Sequence, residues 1–146
     1  MIEKVSWGIA KYKADPQKAY EEIKSHGEFT PENVLDVARN PQSVIHDDFE
    51  WRDDVAGEKF RLIQARRMIQ CFVVVRDNPR TKEKETYRAL EISSKPKTYK
   101  PRQFFVEEAD EYKLLLTRAT NELKSIRNRY SKIAELETVF EAIDEI

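Results

Sequence analysis

From Phe105 to Ile133 the residues Phe105, Ala109, Tyr112, Leu116, Ala119, Leu123, Ile126, Tyr130 and Ile133 follow one another at alternating spacings of four and three. This is a heptad repeat, and it predicts a long helix with one apolar seam that wants another helix against it. After Ile133 the apolar set shifts to Leu136, Val139, Phe140 and Ile143. The change of phase predicts a break near Ser131 and a shorter terminal helix beyond it. The seam residues Tyr112, Leu116, Ala119, Leu123, Ile126, Tyr130 and Ile133 are therefore candidates for oligomerisation. In a parallel homodimer Glu122 at g would meet Arg127 at e, whereas in a monomer the seam would fold back onto the N-terminal region.

Ahead of that helix the chain reads as a separate region of 102 residues, with 103–146 as a helical extension. "ADPQKAYEEIKSHG" predicts a helix with Asp15 as N-cap, Pro16 in the first turn and Gly27 beyond its end. "TPENVLDVARNP" repeats the logic with Thr30 and Pro31, and Asn40-Pro41 stops it. A third helix is expected to begin at Asp53 or Asp54 and run through "GEKFRLIQARRMIQCF". "CFVVV" and "ETYRALEIS" are strand-like, with Tyr87, Ala89 and Glu91 expected on one side and Arg88, Leu90 and Ile92 on the other. They predict an antiparallel hairpin with a loop of about eight to ten residues. "SSKPKTYKP" then reads as a linker. The expected fold class is α+β: mainly helical, a winged-helix-like N-terminal region with one basic hairpin, then the long and short C-terminal helices.

The charge of −1 conceals a strong polarity. Residues 1–60 carry 8 basic and 13 acidic side chains, 61–102 carry 12 and 4, and 103–146 carry 6 and 10. The basic middle third points to an anionic partner. In winged-helix domains a third helix can enter the major groove while a hairpin reaches adjacent phosphates, and the order of elements here resembles theirs. That order implies nucleic-acid contact, expected with double-stranded DNA. The candidates are Arg61, Arg66 and Arg67 on the third helix, Arg76, Arg80, Lys82, Lys84 and Arg88 on the hairpin, and Lys95, Lys97, Lys100 and Arg102 after it. The alternative is a solvated turn, partly offset by Glu83 and Glu85.

"HDDFEWRDD" concentrates carboxylates around His46, Phe49 and Trp51. If extended, His46, Asp48 and Glu50 would share a face and could offer mixed ligands to a divalent metal. The acidic groups are expected instead to precede and cap the third helix, with no metal and no cofactor. The region could also serve as a surface for a protein partner. Cys71, the only cysteine, reads as a buried small hydrophobe. No glycine-rich phosphate loop or nucleophile motif is present in a chain with three glycines, so no enzyme is expected. The longest apolar run, Cys71–Val75, is five residues, far short of the roughly 20 that a membrane-crossing helix needs. With no apolar signal segment at the start, a cytoplasmic protein is expected.

"TPENVLDVARNPQSVIHDDFEWRDDVAGEKFRLIQARRMIQ" and "NRYSKIAELETVFEAID" resemble small phage- and prophage-encoded proteins, most of them without an assigned function. The resemblance covers somewhat under half of the chain and carries no site residues. It implies a role in phage DNA transactions, particle assembly or interference with a host defence, with a host or virion protein as a further partner.

Overall fold

Capping chemistry sets the first two helices. In the computed structural model, which describes residues 3–95 and 97–146, α1 spans Pro16–His26 and α2 spans Pro31–Arg39. Met1, Ile2 and Pro96, the first of the two linker prolines, lie outside the described residues. Asp15 accepts a hydrogen bond from the Lys18 backbone N–H at 3.0 Å, and Thr30 does the same for Asn33 at 3.1 Å. Each satisfies one of the donors that a helix start leaves open. With nine residues α2 is too short to hold alone, and it persists by burying Val34, Leu35, Val37 and Ala38.

The third helix, α3, runs Glu58–Cys71 and starts later than the acidic residues suggested. Asp53 is held by Arg61 and Asp54 lies in a turn, so Gly57 caps the helix without a side-chain bond. At Phe72 the backbone turns directly from helix into strand β2, Phe72–Asp77. β2 is the centre of an antiparallel three-stranded sheet, flanked by β1, Lys4–Trp7, and β3, Lys84–Arg88. The four-residue β1 was not predicted, because its apolar alternation is too brief to stand out. Gly8 ends it: its N–H meets the Cys71 carbonyl at 2.6 Å, and a Cβ there would lie 2.9 Å from Val73 Cγ1. Only glycine allows so close an approach without displacing β2.

The core lies between this sheet and the helices. Phe72 is fully buried and stacks on Trp7 at 4.7 Å, with Tyr20 at 5.4 Å edge-on. Ile23, Leu35, Ile45, Met68 and Ile69 complete it. Two expectations are corrected downstream. The strand expected through Ser93 breaks at Ala89, whose N–H still reaches the Phe72 carbonyl at 2.9 Å as the last bond beside β2. The expected linker is instead a second small hairpin, β4 Leu90–Ile92 with β5 Tyr99–Pro101, and Tyr99 N–H also bonds the Phe29 carbonyl at 3.0 Å. Three-residue strands give no readable alternation, and two prolines disguised them.

The chain divides into two compact units, Met1–Arg102 and Gln103–Ile146. In the second the apolar repeat is interrupted. Phe105 lies on α4, Arg102–Glu107, extended backbone at Glu108 intervenes, and α5 runs Ala109–Arg129. Tyr130 caps α5 and Ile133 falls in the turn after it, so neither belongs to the helical seam. The break near Ser131 is present, followed by α6, Glu137–Asp144. Arg127, expected to face Glu122 of a second chain, is bound within its own chain: its guanidinium grips Asp144 through two bonds of 2.8 and 3.0 Å. Those bonds lower the Asp144 pKa and raise that of Arg127. Among the described residues no helix is long and apolar enough to cross a membrane.

Candidate nucleic-acid interface

The Val73-Val74-Val75 run makes β2 a strand, and its register with β3 pairs Val73 with Arg88, Val75 with Thr86 and Asp77 with Lys84. Alternation then sorts the side chains. Val5, Trp7, Phe72, Val74, Arg76, Glu85 and Tyr87 share the core side, and Lys4, Ser6, Val73, Val75, Asp77, Lys84, Thr86 and Arg88 share the outer side.

The loop of this hairpin is six residues, Asn78–Glu83, shorter than expected. Asn78 closes it by donating from its backbone to the Glu83 carbonyl at 2.8 Å. The Asn78 side-chain oxygen accepts from Arg80 N–H at 2.8 Å, and Lys82 N–H returns to the Asn78 carbonyl at 2.9 Å. Lys82 sits at φ 59°, the left-handed region that glycine normally occupies. Placing a lysine there costs on the order of 1 kcal/mol, yet the tip carries one. Arg80, Lys82 and Lys84 are exposed and form no ion pair among the described residues.

Of the two counter-charges that the sequence offered for the tip, Glu83 is exposed in the loop beside Lys82, and Glu85 is bound elsewhere. It accepts from Arg76 at 3.2 Å and from the Asn78 side-chain amide in a short contact. Arg76, on the core side by register, lies 5.5 Å from the Tyr87 ring. Arg102 stacks on the same ring at 3.9 Å.

The structure separates the predicted cations. Arg61 is a correction: its side chain is 8% exposed and is consumed by the carbonyls of Glu50 and Trp51 and by Asp53. Lys100 pairs with Glu28 at 2.6 Å, and Arg88, 57% exposed, is 3.8 Å from Glu91. Lys95 and Lys97 are exposed between β4 and β5. Arg66 and Arg67 are exposed on α3, which joins the end of β2 opposite the tip, about 17 Å of strand away. Along the chain, the helix arginines and the hairpin tip lie beyond opposite ends of β2. Lys4, by contrast, joins the outer face and was missed because its strand was missed.

The acidic stretch is internal scaffolding. His46–Asp48 forms a 3-10 turn, so the extended face proposed for His46, Asp48 and Glu50 does not exist. His46 Nδ1 bonds the Ala38 carbonyl at 2.6 Å and its ring stacks on Trp51 at 4.9 Å. Asp48 accepts from the Lys13 and Ala14 backbone at 2.7 and 3.1 Å, and Glu50 is held below the usual carboxylate range by bonds from Arg52. Among the described residues no group of three His, Cys, Asp or Glu side chains could hold a metal. Cys71 is partly exposed and lies against Tyr12, whose pKa is pushed up to about 12 by burial and by that thiol. No protein-family model, curated protein or solved structure matches this chain.

Proposed function

We propose that the protein binds nucleic acid, duplex DNA foremost, through phosphate contacts of the β2–β3 hairpin and without catalysing a reaction on it. The observation that supports this reading best is the tip: Arg80 and Lys82 project from a backbone pinned by Asn78, while Glu85 is occupied by Arg76. Cations on a preset turn neutralise phosphate with little loss of freedom, and release of counterions drives the association. A role in the DNA transactions of a phage, within the cytoplasm of its host, accords with the resemblance noted in the sequence.

Anisotropy of a labelled duplex titrated at 50 and 200 mM salt tests it, alongside R80E/K82E. We expect affinity to fall at least tenfold between the two salts, and the variant to lose on the order of 100-fold at the lower one. A protein that fails to bind even at the lower salt removes the reading.

A second reading rests on α5. Tyr112, Leu116, Leu123 and Ile126 are 41–54% exposed along one side of the helix, an apolar stripe that a partner helix would cover. The proposed occupant is a second copy of the chain. Light scattering over a concentration series should give a dimer for the wild type and a monomer for L116K/L123K. A wild type that stays monomeric at high concentration discards the homodimer and leaves a host or virion protein as the partner for this stripe.

A further inference from the structure

We propose that the outer face of the β1–β2–β3 sheet, rather than α3, is the surface that lies along the nucleic acid, with Lys4, Lys84 and Arg88 as its phosphate contacts. This rests on the nucleic-acid reading and specifies where and how the duplex sits.

An antiparallel sheet packed on one side leaves the other, polar side to solvent. Here the charged positions of the outer face are Lys4, Lys84, Arg88 and Asp77, with Arg88 57% exposed and only loosely approached by Glu91 at 3.8 Å. Asp77 stands opposite Lys84 in register but forms no ion pair with it among the described residues. The three cations are spread, not clustered. Lys4 and Thr86 stand level on the two edge strands, on either side of Val75. Lys84 and Arg88 lie two residues to either side of Thr86. With strands about 4.8 Å apart and a rise of about 3.4 Å per residue, Lys4 is about 12 Å from each of the others, and those two are about 14 Å apart. Spans of that size match the width of a groove, so the cations reach phosphates on both of its walls.

The surface between them is low. Val73, Val75 and Thr86 are β-branched and short, and the hairpin's ring, Tyr87, points to the core side beneath Arg102. A single-strand platform works by stacking bases on aromatic rings. A level face of valine and threonine rimmed by cations suits the regular backbone of a duplex instead. The Arg80–Lys82 tip continues this face beyond the end of β2 and β3 and adds contacts farther along the duplex.

The test uses the full chain and a labelled 25-base-pair duplex, with affinity measured across a salt series for K4Q/K84Q/R88Q, for T86E and for R66Q/R67Q. Circular dichroism melts establish that each variant is folded. The triple variant is expected to bind at least tenfold more weakly at low salt, with a salt slope flatter by about 2 to 3, one unit for each lost contact. T86E, which sets a carboxylate midway between Lys84 and Arg88 without removing a cation, should weaken binding about tenfold through repulsion. R66Q/R67Q should stay within twofold of the wild type.

Wild-type affinity in both face variants, with R80E/K82E impaired, would overturn the outer face while leaving the hairpin reading in place. Loss of binding confined to R66Q/R67Q would return the contact to α3. Equal affinity for a single strand of the same length would overturn the duplex assignment. A wild type that binds neither would remove this inference together with the reading beneath it.

Discussion

Replacing Phe72 by alanine is expected to destabilise the N-terminal unit by about 3–5 kcal/mol, the range for emptying a fully buried aromatic site. Phe72 is 0% exposed and is the point where α3 becomes β2. Its ring meets Trp7 from β1, Tyr20 from α1 and, at 6.4 Å, Phe29 from the turn before α2. Three separate segments therefore lean on one side chain, and none can close the cavity without leaving its own partners. For a unit of this size about 4 kcal/mol corresponds to a fall in melting temperature of roughly 15–30 °C. The control is Val73→Ala, the next residue, whose side chain points to the outer face and is half-buried. It should cost less than half as much. A thermal melt in which the two variants unfold together would contradict the assignment of faces in β2, and with it the location proposed for the nucleic-acid surface.

The elements that could be read from sequence were those announced by local chemistry. Asp15-Pro16 and Thr30-Pro31 cap helices by short-range hydrogen bonds, so the signal is complete within four residues. The valine run of β2 and the break near Ser131 were legible for similar reasons. What escaped depended on pairing across the chain. β1 becomes a strand because β2 lies beside it, 68 residues later in the register Lys4 to Val75 reversed through Trp7 to Phe72. β4 and β5 exist through each other and through the bridge from Tyr99 to Phe29. The candidate site divided along the same line. Positive charge in the middle third was plain from composition. Which cations share a face was not, because one missed strand hid Lys4 and one buried contact set withdrew Arg61.

Arg61→Met should be the other severe substitution, costing about 3 kcal/mol, because hydrogen bonds from a charged donor contribute about 1.5–3 kcal/mol each and their carbonyl partners would be left without one. Arg61 donates from Nε to the Glu50 carbonyl at 2.9 Å and from Nη2 to the Trp51 carbonyl at 3.1 Å. Its guanidinium also lies 5.4 Å from the centre of the Trp51 ring. The bond to Asp53 at 2.6 Å adds little, since that carboxylate is 87% exposed and solvent-screened pairs contribute about 1 kcal/mol at most. Trp51 is itself tied to the His46 carbonyl at 2.7 Å and stacked on the His46 ring, so loosening Arg61 frees the whole connection from α2 to α3. Arg61→Lys keeps the charge but not the forked geometry, and should recover only part of the loss. Urea titration measures both. A phosphate-binding arginine would behave in the opposite way: its methionine variant would keep its unfolding midpoint and lose affinity for DNA. If Arg61→Met unfolds at the wild-type urea concentration, the buried role assigned to it fails and the sequence-based place of Arg61 among the nucleic-acid contacts is restored. If it unfolds early while its folded fraction still binds the duplex with an unchanged salt slope, Arg61 belongs to the scaffold and is not one of the contacts with phosphate.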